Sequence, residues 1–181
     1  MTNKIIGIQG DKLDKINISS DTSIFLAHEA QKLGYKIFYY TPSNLSIIKN
    51  KIYANGVFVK FNYERKKFYK IYKKKKIDVE NLKFILIRQD PPFNSEYLIT
   101  TLILDGLKKV KVINNPTAIR NVSEKLYSKN FIKYMPNTLF SNDIKEVKKF
   151  YKQNKSMIMK PINGYGGNQI HLIKNKFDKK L

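Results

Sequence analysis

Met157-Ile158-Met159-Lys160-Pro161-Ile162-Asn163-Gly164-Tyr165-Gly166-Gly167 places a lysine at the end of an apolar strand segment and a glycine-rich loop behind it. Glycines let successive backbone N–H groups turn toward an anion without interference from a Cβ. A lysine just ahead of such a loop reaches the same anion, so the chemistry on offer is phosphate binding. The pattern is not the P-loop, in which Gly-Lys-Ser/Thr opens a helix; here the loop joins two strands. Taken alone, a glycine-rich hairpin reads as a plain turn. A single lysine in a lysine-rich chain likewise reads as a solvated surface group.

A second candidate lies upstream. Lys83-Phe84-Ile85-Leu86-Ile87-Arg88 reads as a buried strand that ends in polar residues, and Asp90-Pro91-Pro92-Phe93 continues neither strand nor helix. That makes a rigid loop at the carboxyl end of a strand, the edge on which open α/β sheets hold ligands. Arg88 and Asp90 are the candidates there for substrate contact. For Arg88 a structural ion pair with Asp90 or another carboxylate is an equal alternative. His28 and His171 have no second ligand at metal spacing and read as structural or surface residues. Met157 and Met159 read as core-facing strand residues, and the many Tyr and Phe as core.

The elements that must position these groups follow from periodicity. Ile5–Ile8 is a short buried strand, and Ser19, Ser20 or Asp21 is placed to cap a helix in which Leu26, Ala30 and Leu33 share a face. Gly34 stops that helix, and Lys36–Tyr40 is the next strand, completing a β-loop-α-β unit of the kind that builds parallel sheets. Lys51–Ala54, Asn55-Gly56 and Val57–Phe61 carry a strong hairpin signal. Phe68–Tyr72 adds a strand, and Lys73–Lys76 reads as a solvated loop. A helix over Ser95–Leu104 stopping near Gly106 and a strand over Lys111–Ile113, closed by Asn114-Asn115-Pro116, finish this part. A domain boundary falls near Asn115–Val122. Beyond it, Ser123–Asn130 is predicted helical and Thr138–Phe140 a short strand. Ser141 or Asn142 caps a helix with Ile144, Val147, Phe150 and Tyr151 on one face. Ser156–Lys160 and Gln169–Ile173 are strands on either side of the glycine loop.

Composition bounds the partners. The apolar fraction of 42% is ample for a packed core, and no apolar run approaches the ~20 residues that cross a bilayer. The absence of cysteine excludes disulfides, thiolate metal sites and a cysteine nucleophile. A net charge of +21 raises nucleic acid as a partner, yet only Arg65, Arg88 and Arg120 are arginines. Base and phosphate readers favour arginine's bidentate fork. The lysines are spread along the chain among Ile and Asn, so the expectation is no nucleic-acid and no membrane partner.

The motifs gain weight together. Lys160-Pro161 with Gly164, Gly166 and Gly167 resembles the phosphate loop of the ATP-grasp superfamily, and Asn121-Val122-Ser123-Glu124-Lys125-Leu126 resembles that superfamily's first lysine motif. Arg88-Gln89-Asp90-Pro91-Pro92-Phe93 closely resembles a segment of bacterial glutathione synthetases. So do Ile16-Asn17-Ile18 before Asp21-Thr22-Ser23, Tyr39-Tyr40-Thr41-Pro42, and Asn114-Asn115-Pro116. The similarity runs from about Ile5 to Ile173. It departs at Gln89, where the family often has lysine, at Asn94, where it often has aspartate, and at Gln9-Gly10-Asp11, which lacks an expected proline.

The resemblance implies an α/β fold: an N-terminal open, mostly parallel, Rossmann-like sheet domain over residues 1–120, then the first, incomplete α+β part of an ATP-grasp domain over 121–181. It implies a cytoplasmic ATP-dependent ligase, homo-oligomeric at full length, that joins γ-glutamylcysteine to glycine. The substrate carboxylate attacks the γ-phosphate of ATP, ADP leaves, and the glycine amine displaces phosphate from the acyl phosphate. It assigns ATP binding to Lys125, Lys160, Asn163, Gly164, Gly166 and Gly167, with both lysines converging on one triphosphate tail. Mg²⁺ or Mn²⁺ is the implied metal, with no ligand in this chain: after Gly167 only Asp178 is acidic, and hard cations need several oxygen ligands. The expectation is therefore an incomplete site, no turnover by the chain as it stands, and apolar sheet surface left exposed. A different ATP-grasp carboxylate–amine ligase, or a basic nucleic-acid-binding module, are the alternatives.

Overall fold

The computed structural model describes residues 4–64 and 67–174; Arg65, Asp178 and the rest of the tail from 175 lie outside them. The chain divides into two compact units, Met1–Asn121 and Val122–Leu181.

In the first unit the apolar runs become the centre of a seven-stranded sheet. Strand β1 (Ile5–Gln9) lies parallel between β2 (Lys36–Tyr40) and β6 (Phe84–Ile87), and β7 (Lys111–Ile113) adds parallel to β6. Helix α1 (Thr22–Lys32) links β1 to β2, and α2 (Ser95–Asp105) links β6 to β7. Such crossovers cover both faces of the sheet, which is why its strands read as nearly unbroken apolar runs. On one face Ile24 and Ala27 of α1 pack on Ile6, Ile8, Ile37 and Tyr39. On the other, Leu104 of α2 packs on Phe38, Tyr40, Ile85 and Ile87. Each fully buried isoleucine contributes about 1.5–3 kcal/mol relative to exposure, so these two layers dominate the unit's stability.

Helix α1 turns a different face inward from the one its Leu26, Ala30 and Leu33 spacing suggested. Leu26 and Leu33 are 45% and 71% exposed, whereas Ser23, Ile24 and Ala27 are buried. Two apolar stripes compete on this helix, and its N-terminus decides between them. Asp21 caps it, accepting from the backbone N–H of Ser23 and Ile24 at 2.6 and 3.0 Å, while the Ser23 hydroxyl is held by Arg88.

The hairpin also lies elsewhere. Lys51–Phe61 is one continuous strand, β4, and Asn55-Gly56 sits in its middle. The reversal is at Lys49 (φ 47°) and Asn50 (φ 61°), between β3 (Leu45–Ile48) and β4, as a two-residue turn with left-handed φ at both positions requires. Gly56 serves close approach: a Cβ there would stand 2.5 Å from Phe38 Cζ and 2.6 Å from the Tyr39 carbonyl oxygen. Lys73–Lys76 belongs to strand β5 (Tyr69–Asp78) rather than a loop, although the four side chains are solvated as expected. Among the described residues β5 pairs only with β4, and lysine is a residue that protects such an edge from further pairing. Helix α3 (Pro116–Asn121), opened by Asn115 accepting from the Ala118 N–H at 2.9 Å, continues where the sequence showed only a closing turn.

The second unit is smaller. Short helical turns span Leu126–Tyr134, displaced toward the C-terminus from the predicted Ser123–Asn130 helix. Thr138–Phe140 makes no strand ladder. Helix α4 (Ile144–Asn154) is capped by Asp143, not Ser141 or Asn142; the Ser141 hydroxyl instead accepts from the Asp143 N–H. Strands β8 (Ser156–Met159) and β9 (His171–Lys174) pair antiparallel around the glycine loop. Val147, Phe150 and Tyr151 of α4 are half-buried, while Ile144 is 49% exposed.

Candidate functional site

The predicted residues form two groups, one in each unit. In the first unit they gather at the carboxyl edge of β1, β2 and β6. The Arg88 backbone N–H continues the ladder by donating to the Gln9 carbonyl at 2.7 Å. Its guanidinium docks on the first turn of α1, donating to Ser23 Oγ at 3.0 Å and Thr22 Oγ1 at 2.6 Å. Among the described residues Arg88 forms no salt bridge with Asp90 or another carboxylate, so its charge is held in place by hydroxyls and remains uncompensated by direct contact. Asp90 donates its backbone N–H to Asp11 Oδ2 at 2.8 Å, which ties the loop after β6 to the loop after β1.

The electrostatics identify a neighbourhood larger than these two residues. Burial pushes the Asp90 carboxyl above the usual aspartate range, the charges of Asp11 and Asp21 add to this, and Arg88 opposes it. Tyr39 is raised far more, again by burial first and then by Asp11, Asp21 and Asp90, and its hydroxyl donates to the Asp11 carbonyl at 2.6 Å. Tyr97 is raised by burial and Asp11; its ring packs on Phe93 with centroids 5.1 Å apart. Beneath the loops, Gln9 donates to the Gln89 side-chain carbonyl in a buried contact, leaving Gln9 Oε1 enclosed and without a partner among the described residues.

Sequence reasoning singled out Arg88 and Asp90 but not Asp11, Tyr39, Tyr97 or the Gln9–Gln89 pair. One signal was present. Gln9 ends the apolar run of β1 and Gln89 follows Arg88 just past the apolar run of β6, and polar groups closing buried strands face the ligand edge. His28 holds the Phe61 carbonyl at 3.3 Å and His171 is exposed on β9, so neither joins the group.

In the second unit the glycine loop leaves β8 at Lys160. Its bend is fixed by Gly164 N–H donating to the Pro161 carbonyl at 3.2 Å and Asn168 N–H to the Tyr165 carbonyl at 3.0 Å. Gly166 (φ 59°) and Gly167 (φ 77°) adopt the left-handed conformation that other residues resist. Lys125 reaches the loop directly: its ammonium donates to the Gly164 carbonyl and stands 3.6 Å from the Glu124 carboxylate. Lys160, Asn163, Gly166 and Gly167 are all exposed to solvent. The loop is thus a solvent-exposed glycine turn with one lysine at its root and a second on its flank. This arrangement suits a phosphate chain, whose charge needs several donors and no single rigid fork.

The same residues do not suit a divalent metal. Among the described residues no group of three or more His, Cys, Asp or Glu side chains could hold one, and Glu124, the carboxylate beside Lys125, is engaged by that lysine.

A parallel α/β unit with a polar ligand edge, followed by a glycine hairpin between antiparallel strands with a lysine seated on it, defines an ATP-grasp type of architecture. The crystal structure of D-alanyl-alanine synthetase A from Vibrio cholerae has this fold, matching 97% of the chain and 54% of its own length with a TM-score of 0.54 at 15% identity. Residues 5–120 match the family described as prokaryotic glutathione synthetase, N-terminal domain, and residues 124–181 match prokaryotic glutathione synthetase, ATP-grasp domain. The chain belongs to the prokaryotic glutathione synthetase family. Glutathione synthetase of Mesorhizobium japonicum is 37% identical over 163 residues, covering 90% of this chain and 52% of that protein. The enzyme of Wigglesworthia glossinidia brevipalpis is 36% identical over 171 residues, covering 93% and 54%. The chain spans about half the length of the curated relatives it matches.

Proposed function

We propose that the full-length protein is a glutathione synthase, joining γ-glutamylcysteine to glycine with cleavage of ATP to ADP and phosphate. Residues 1–120 are its substrate-side domain and 121–181 the opening of its ATP-grasp domain. The observation that supports this most directly is the seating of the Lys125 ammonium on the glycine loop at the Gly164 carbonyl, which brings one cation onto the loop that follows Lys160. Lys125 and Lys160 pair with phosphate oxygens, and Asn163, Gly164, Gly166 and Gly167 lie along the triphosphate. In this reading the loop also shields the acyl phosphate from water. Arg88, uncompensated and pre-positioned by Thr22 and Ser23, takes a substrate carboxylate. Asp90, with Asp11 beside it, takes a substrate ammonium.

Further parts of the reading rest on the family alone: a cytoplasmic homo-oligomer that uses Mg²⁺ or Mn²⁺, with metal ligands from strands beyond this chain. Among the described residues no helix is long and apolar enough to cross a membrane. The 181-residue chain by itself is expected to give no turnover.

The test is product analysis with full-length enzyme, ATP, γ-glutamylcysteine and a panel of amino-acid acceptors. Glutathione formed with stoichiometric ADP and phosphate supports the reading. Ligation confined to other acceptors assigns the chain to a different carboxylate–amine ligase activity.

A further inference from the structure

The first unit also carries a groove of about 590 Å³ whose lining includes Tyr39 but neither Arg88 nor Asp90. Its walls come from the loop after β1, from β4 and from β5. Register decides which lysines face it. Lys74 lies opposite Val57 and Lys76 opposite Asn55, and directly opposed residues of an antiparallel pair share a face. Val57 packs with Ile8 and Tyr39, so Lys74 and Lys76 rise on that side, about 7 Å apart at two strand residues. Lys12 joins the lining from a different element, the loop after β1. Lys75, opposite Gly56 and so on the other face of β5, also touches the groove, whose lining thus holds four lysines and one carboxylate, Asp14.

None of these lysines is in a salt bridge among the described residues. Lys76 instead rests its ammonium 5.2 Å from the centre of the Tyr53 ring. Protection of an exposed strand edge explains lysines along β5, but not a concavity between them and not Lys12 meeting them from another element. Neighbouring ammonium groups repel one another, and a multiply charged anion satisfies several at once.

We propose that this groove binds a small anion bearing two or three linked phosphates. Cations drawn from two separate elements, the loop after β1 and β5, match a chain of charges better than one compact phosphate, and the volume lies within the range of small-molecule sites. Lysines act there as point charges, which suits phosphate. The inference does not depend on the ligase reading.

Calorimetric titration of the chain with inorganic tripolyphosphate tests it. A Lys125→Ala/Lys160→Ala background removes the candidate nucleotide site from the readout. Lys12→Gln/Lys74→Gln/Lys76→Gln is expected to weaken binding at least tenfold. A charge-matched control on α4, Lys145→Gln/Lys148→Gln/Lys152→Gln, should leave it within twofold. Lys12→Gln alone, in a loop outside the sheet, keeps the test valid if the triple variant misfolds, and should weaken binding severalfold. Equal losses in groove and control variants would reduce the effect to diffuse charge and overturn the site. Displacement of tripolyphosphate by a single-stranded oligonucleotide at lower concentration, with a steep salt dependence, would overturn it in favour of nucleic-acid binding.

Discussion

Individual side chains carry the sharpest predictions. A lysine donating to a phosphate oxygen is a charge-assisted contact of about 1.5–3 kcal/mol. Replacing Lys125 or Lys160 by alanine in the full-length enzyme should therefore raise the KM for ATP about 10–100-fold, measured by steady-state ADP release; an unchanged KM removes the residue from the nucleotide site. Two aspartates predict opposite pH behaviour. Asp90 is raised in the folded protein, so the folded state keeps its proton longer than the unfolded chain, and stability falls as pH climbs just above the ordinary aspartate value near 4. Asp105 is lowered, first by its hydrogen bond from Arg120 and then by Thr117. Its contribution is complete above the unfolded pKa and is lost as pH falls through the folded value. Urea midpoints taken across pH 2–7 should show Asp90→Asn removing a decline and Asp105→Asn flattening the acid limb. The candidates at this scale come from different signals: Lys160 and the loop glycines from their place after a strand, Arg88 and Asp90 from their strand-end position, and Lys125 only from its resemblance to a family motif. Asp11 and Tyr39 were not legible, because their placement depends on two loops meeting through the Asp90 N–H.

At the level of elements, sequence logic succeeded where periodicity and burial agree and failed where one residue type serves two purposes. The central strands are unambiguous apolar runs. Asn55-Gly56 carries the usual composition of a two-residue turn, yet the glycine is there because Phe38 leaves no room for a side chain. Lys49-Asn50 makes the turn with less obvious residues. Gly56→Ala should accordingly act as overpacking of a core, lowering stability by about 1–3 kcal/mol, seen as a lower thermal midpoint. If the pair were a turn apex, alanine there would leave Phe38 undisturbed and shift only the strand register. The lysine run was misread for a related reason: consecutive charges suggest a loop, but a strand with no second neighbour tolerates charge on both faces. Helix α1 shows the same ambiguity, since two apolar stripes were available and the inward one is the one consistent with the Asp21 cap, Arg88's hold on Ser23 and Gln31's bonds to the Phe61 backbone.

The two units are unequal in how they are held together, and this governs the behaviour of the whole chain. Ile158 and Leu172 stand opposite each other on β8 and β9 and are 60% and 59% exposed. Exposed apolar faces of this kind promote association. Replacing both residues by lysine or glutamate should raise the concentration at which the 181-residue chain stays monodisperse in light scattering, without lowering the melting temperature of the first unit. Among the described residues, Ile173 is the one fully enclosed apolar side chain of the second unit, while the first has nineteen. Amide hydrogen exchange should register that difference. Protons on β1, β2 and β6 should persist until the sheet opens as a body, whereas those of the β8–β9 ladder should be replaced by deuterium through local openings. The glycine loop would then hang from the less protected part of the chain, and a phosphate chain bound there as proposed should slow deuteration there first.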